Sequence, residues 1–151
     1  MQTRSTRLVA APRSRVYAAL LDPGAVQRWM VPDDMTSEVH RFDAREGGTF
    51  AITLTYAAPG STGKTTARSD AFTGRFVRLV ADTEVVQVVE FDTDDPSVQG
   101  EMTITYRLED VAGGTLVTGL HEGLPEGVSA ADNEHGWAMS LRKLAELVEG
   151  G

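Results

Sequence analysis

Few residues in this chain have the chemistry of a reactive site. There are no cysteines, so thiolate ligands, disulfides and cysteine nucleophiles are excluded together. Three histidines remain, His40, His121 and His135, and their spacing is not that of a metal site. His121 falls on the parity of Val117 and Gly119 near the end of an alternating stretch. It either faces the interior, where it could serve as a base, or is an ordinary surface or satisfied histidine. Tyr106 and Glu134 are the other two candidates for acid–base work. No serine sits in a nucleophile elbow, so no catalytic set is assigned. Asp92, Asp94 and Asp95 lack the ligand spacing and closing glutamate of an EF-hand and read as a solvated turn. Gly60-Ser61-Thr62-Gly63-Lys64-Thr65 resembles a phosphate loop, but Ala58 stands where its first glycine belongs and a strand follows instead of a helix. No metal and no cofactor is therefore expected.

Residues suited to holding an apolar molecule are more numerous. Trp29 ends a short helical stretch, and its N–H needs a partner, which suggests the mouth of a cavity. Trp137 lies in the middle of the apolar stripe of the last helix, as core or as cavity lining. Asn133 and Glu134 occupy the same stripe one turn earlier, where they either orient a ligand's polar group or are solvated. Gln87 is a lone amide among Val85, Val89 and Phe91; if inward it needs a partner, and a ligand or the Tyr106 hydroxyl would serve. With the inward positions of the strands, the expected lining is Trp29, Phe50, Ile52, Tyr56, Gln87, Val89, Met102, Tyr106, Asn133 and Trp137.

The element that must position them is the last helix. Ser129 is a good N-cap, and Ala130, Trp137, Leu141, Leu144 and Val148 fall on one stripe at about 100° per residue. Gly150 and Gly151 end it. The second half of that stripe is pure core; the first half mixes polar groups with one large aromatic. Before it the chain alternates, which predicts strands. Residues 3–10 form the first. Two short helices follow, one starting at Pro12 and stopping before Asp22-Pro23, the other over 24–29. Further strands are expected at 36–43, 49–56, 71–80, 84–91, 101–108 and 115–122. Residues 57–70 read as a polar, mobile loop. The result is a β-αα-β6-α order: an α+β fold with a curved seven-stranded antiparallel sheet around a long C-terminal helix, and two short helices after the first strand. Such a sheet should pack tightly on one end of the helix and leave a cavity at the other.

The totals agree with a single domain spanning the 151 residues. A net charge of −8 disfavours nucleic acid and an anionic membrane as partners. No apolar run approaches the roughly 20 residues of a membrane span, and the N-terminus lacks a signal peptide's apolar core, so a cytoplasmic location is the default. Only Lys64 and Lys143 among the 14 basic residues are lysine, a bias associated with GC-rich bacterial genomes. Met139 points away from the stripe and is either merely exposed or part of a homodimer contact.

Several motifs resemble the START-like (SRPBCC) superfamily, in particular its activator of Hsp90 ATPase homologue (AHSA1-like) branch. They are Ala11-Pro12, Val16-Tyr17, Asp22-Pro23 and Trp29 in order. The turn Phe42-Asp43-Ala44-Arg45-Glu46-Gly47-Gly48 follows, with Glu46 where the branch has proline. Gly114-Thr115 and the helix His135-Gly136-Trp137 to Leu144 complete the set. The resemblance implies a helix-grip (START/Bet v 1-like) fold whose cavity between sheet and C-terminal helix takes hydrophobic or aromatic molecules. The eukaryotic Hsp90 activator has a further N-terminal domain that these residues do not supply, so the branch name is not read as a chaperone role. The leading expectation is binding or transport of a small hydrophobic or aromatic ligand, without catalysis. The alternatives are a cyclase/aromatase- or hydrolase-like enzyme and a protein-interaction module.

Overall fold

The computed structural model describes residues 2–33, 35–56 and 69–150. In chain order its elements are β1 (Gln2–Val9), α1 (Arg13–Leu20), α2 (Pro23–Trp29), β2 (Met35–Phe42), β3 (Thr49–Tyr56), β4 (Ser69–Val80), β5 (Glu84–Phe91), β6 (Met102–Val111), β7 (Gly114–Glu122) and α3 (Ala130–Glu149). The seven strands form one sheet in the order β1-β7-β6-β5-β4-β3-β2, antiparallel throughout. The expected fold is therefore the observed one. Ser69 and Asp70, expected in a loop, open β4; the rest of that loop, with the glycine-lysine stretch at 60–65, lies outside the described residues.

Strands β2 to β7 meander, each pairing with the next, and β1 adds to the far side of β7. β1 and β2 are thus the two edges, and α1 and α2 carry the chain from one to the other. Register breaks between Val39 and Arg41 on β2 and between Phe76 and Arg78 on β4. Such irregularities bend a strand and increase its twist, which helps this sheet curl. Between them Gly74 makes room for a ring. A Cβ there would stand 2.3 Å from Phe50 Cζ and 2.8 Å from Val89 Cγ1. Phe42, Phe50 and Phe76 then stack with centroids 5.2–6.0 Å apart.

α3 starts as its sequence dictates: Ser129 Oγ accepts from the amide of Asp132 at 3.2 Å, satisfying one of the free donors of the first turn. The helix runs beside the free edge of β1 and shields it. Glu134 Oε2 accepts from Arg4 N at 3.4 Å, and Glu149 Oε2 accepts from Ala10 N at 2.8 Å. The spacings match: fifteen helical residues rise roughly 22 Å, and six strand residues span roughly 20 Å. An open edge invites pairing with another chain, and here two carboxylates occupy part of it. Arg142 and Lys143 fasten the other flank of α3 to Asp33, and Lys143 Nζ also donates to the Val31 carbonyl at 2.8 Å.

Burial along α3 is uneven. Ser140, Leu141, Leu144, Ala145 and Val148 are buried, whereas none of residues 130–139 is. The C-terminal half of the helix is core. The N-terminal half is more exposed, and Thr3 and Arg4 of β1 are hydrogen-bonded to its Asn133 and Glu134.

Candidate functional site

The inner face of the sheet beneath the N-terminal half of α3 is built by β1, β7 and β6. Alternation fixes which residues reach it. Thr3 and Ser5 come from β1, Gly119 and His121 from β7, Ile104 and Tyr106 from β6. Register sets them side by side: Ser5 is paired with Gly119 and Gly119 with Tyr106, while Thr3 is paired with His121 and His121 with Ile104. Tyr106 and His121 are therefore diagonal neighbours on one face. Trp137 descends on both from α3. Its ring centroid is 4.4 Å from that of His121 in an edge arrangement and 5.8 Å from that of Tyr106. Trp29 closes the group from α2, edge-on to Tyr106 at 6.0 Å.

Two members of this group are unsatisfied. Tyr106 is 0% exposed and His121 is 4% exposed. The Tyr106 hydroxyl and both ring nitrogens of His121 have no hydrogen-bond partner in the protein. Among the described residues only one other buried side-chain atom shares that state, Ser37 Oγ on the far edge strand β2. A buried polar group without a partner costs about 1–3 kcal/mol, so two beside each other are a conspicuous expense in a domain stable by roughly 5–15 kcal/mol. Burial also sets their protonation. Desolvation pushes the tyrosine well above its ordinary value and lowers the histidine to about 4. Both are neutral near pH 7, the phenol as a donor and the imidazole as one donor and one acceptor.

Gly119 is buried between Ser5 and Tyr106, yet a Cβ built on it would find nothing nearer than the Ser5 carbonyl oxygen at 3.9 Å. On α3, a Cβ at Gly136 would meet only Pro32 Cγ, also at 3.9 Å. At Gly74, by contrast, the same atom would collide with a ring.

The expected lining residues divide accordingly. Trp29, Tyr106 and Trp137 come together, and Asn133 is close by: its Oδ1 accepts from Thr3 Oγ1 at 2.7 Å, and Thr3 is the register partner of His121. Phe50, Ile52 and Tyr56 are on β3, three strands from β6, or roughly 14 Å along the sheet. Gln87 and Val89 lie between on β5, and Met102 opens β6, all three buried. Phe50 and Val89 also border an open groove of ≈ 350 Å³ that includes Arg41, Thr73 and Arg75. A second open groove, of ≈ 520 Å³, lies between α1, α2 and the end of α3. Neither borders the N-terminal half of α3.

One expectation needs correction, and two open alternatives are decided. Trp29 is not at a mouth: it is 0% exposed, and its Nε1 donates to the Ala19 carbonyl at 2.9 Å. Gln87 does not satisfy the Tyr106 hydroxyl, which has no partner. Glu134 turns to the β1 edge, where its carboxylate accepts from a backbone amide, and it is exposed rather than set among the rings. Thr3 and Gly119 were not foreseen as members of the site. Their parity with Val9 and His121 was the available signal, but neither side chain draws attention by type. Met139 is half-buried, and His135 is exposed. His40 is exposed, with Nε2 2.9 Å from Thr53 Oγ1. Among the described residues no three His, Asp or Glu are gathered to hold a metal, and no helix is long and apolar enough to cross a membrane.

Residues 10–149 match the family described as "Activator of Hsp90 ATPase homolog 1-like protein". Protein CV1439 from Chromobacterium violaceum is similar in structure with a TM-score of 0.88 and 32% identity, over 98% of this chain and 96% of that one. A protein from Arthrobacter aurescens shares the fold with a TM-score of 0.82 at 16% identity, covering 99% of this chain and 87% of its own. An AHSA1-like protein from Aeromonas hydrophila does so with a TM-score of 0.72 at 21% identity, covering 99% and 93%. No protein of curated function matches the sequence.

Proposed function

This chain belongs to the family of activator of Hsp90 ATPase homologue 1-like proteins, and from that premise we propose that it binds a small hydrophobic or aromatic molecule between the sheet and the N-terminal half of α3. One observation carries the reading: the Tyr106 hydroxyl and both His121 nitrogens are buried without partners beneath Trp137. Isolated polar atoms in an apolar interior are expensive, and a ligand that supplies their hydrogen bonds recovers that cost on binding. Its apolar body would be driven in by about 25 cal/mol for each Å² removed from water. Rings on three sides suit a flat molecule, since aromatic pairs favour edge and offset contacts. With no residue of 130–139 buried, lifting that end of the helix for entry would break few apolar contacts.

Acid–base catalysis fits less well. A histidine titrating at about 4 is a weak base near pH 7, and a tyrosine raised above its usual range is a weak acid. Neither is oriented by a further group, and Glu134 faces the other way. An interaction module would display a contiguous apolar patch. The exposed large apolar residues among those described, Leu8, Val77 and Val111, are on three different strands.

Native mass spectrometry of protein incubated with cell extract tests the proposal, followed by NMR of the Trp137 indole with whatever is retained. The expected result is a retained small molecule that shifts the Trp137 signal. Protein that emerges bare and shows no shift with any apolar probe would refute it.

A further inference from the structure

We infer that the ligand is uncharged and carries one hydroxyl or carbonyl oxygen, which the Tyr106–His121 pair recognises at the buried end of the site. This inference rests on the binding reading above and narrows it to a chemical class.

Charge is decided by what is absent from the buried set. Besides Tyr106 and Trp29, the buried polar side chains among the described residues are Thr3, Asp70, Gln87, Thr115, His121 and Ser140. None is a cation. A carboxylate or phosphate brought under Trp137 would lose its hydration with no positive partner to replace it. The chain's net charge of −8 adds to the repulsion. An ammonium would fare little better. The one buried acid, Asp70, is on β4, two strands away from Tyr106 on β6, and it already has a partner of its own.

Polarity is decided by the pair itself. The phenol offers one donor, and the imidazole offers one donor and one acceptor. A hydroxyl oxygen can accept from Tyr106 and donate to His121, and a carbonyl oxygen can accept from either. A pure hydrocarbon would leave all three atoms as they are. The open side of Gly119, the register partner of Tyr106, is where the oxygen-bearing end of the molecule fits.

The test uses four probes on one ring system at neutral pH: 2-naphthol, naphthalene, 2-naphthoate and 2-naphthylmethylammonium. Affinities are read by calorimetry or by quenching of tryptophan fluorescence. The prediction is that 2-naphthol binds at least about tenfold more tightly than each of the others, the factor expected of one hydrogen bond to a previously unpaired group. Tyr106→Phe, which leaves only His121 to bond the oxygen, should lower the naphthol-to-naphthalene ratio several-fold. Should that variant fail to fold, the ring nitrogens of His121 in the unaltered protein report instead: naphthol should shift their ¹⁵N resonances and naphthalene should not. Binding of naphthoate or the ammonium as tight as naphthol would overturn the inference while leaving the binding site standing. Equal binding of naphthol and naphthalene would overturn it too, with water serving the buried atoms. If none of the four binds, the binding reading itself fails and this inference with it.

Discussion

Acid should weaken this protein through one residue, and the size of the effect can be worked out. His121 titrates at about 4 in the folded chain, because burial penalises its cation, and near the ordinary 6.5 when unfolded. Below the unfolded value the unfolded chain takes up a proton that the folded chain refuses. Stability therefore stays whole above about pH 7, falls as pH drops through 6.5, and stops falling once the folded histidine also titrates. From about pH 7.5 to about pH 5 the unfolded state gains a factor of about thirty, or about 2 kcal/mol. Carboxylates such as Asp33, held low by Arg142, also begin to matter in acid, so the effect must be read as a difference. The comparison is with His121→Phe, which keeps a flat ring against Trp137 and has no proton to take up. Guanidinium unfolding of both proteins at each pH gives the two stabilities. The gap should move in favour of the variant by about 2 kcal/mol on acidification. A gap that stays constant would mean that His121 ionises freely in the folded protein, and the argument from burial would be wrong.

Two glycines on the inner face should respond in opposite ways to one added methyl. Gly119→Ala should be tolerated or should stabilise by about 0.5 kcal/mol, because the space is open and the unfolded chain loses freedom. Gly74→Ala should cost about 1–3 kcal/mol, because the methyl meets the buried Phe50 ring; denaturant midpoints decide both. Trp29→Phe should cost about 1–3 kcal/mol in the same measurement by stranding the Ala19 carbonyl. Ser129→Ala should remove the cap of α3 and cost about 1 kcal/mol, with amide exchange faster in the first turn than in the second half of the helix.

Much of this fold was legible. Alternation placed the strands, and Ser129 marked the start of α3 to the residue, because period and capping are local properties. The end of β6 was not legible. That strand runs past Leu108 to Val111 through Glu109 and Asp110, held by its ladder to β7 rather than by any apolar pattern. The site was half legible for a related reason. Parity told which face Phe50 and Tyr106 occupy, but it left His121 open, and it did not tell that β1 joins β7 and brings α3 over that edge. Hence Trp137 stands over Tyr106 and His121, while Phe50 joins a separate cluster of phenylalanines. Trp29 was misplaced because a sequence cannot reveal that a carbonyl ten residues earlier will receive its N–H.

The most direct measurement is a high-resolution crystal structure of the protein grown with 2-naphthol, read in the space bounded by Trp137, Gly119, Tyr106 and His121. Density for a ring there, with an oxygen within hydrogen-bond distance of the Tyr106 hydroxyl or a His121 nitrogen, is the predicted result. A space packed solid with side chains, with Tyr106 and His121 bonded to groups of the protein itself, would contradict the account.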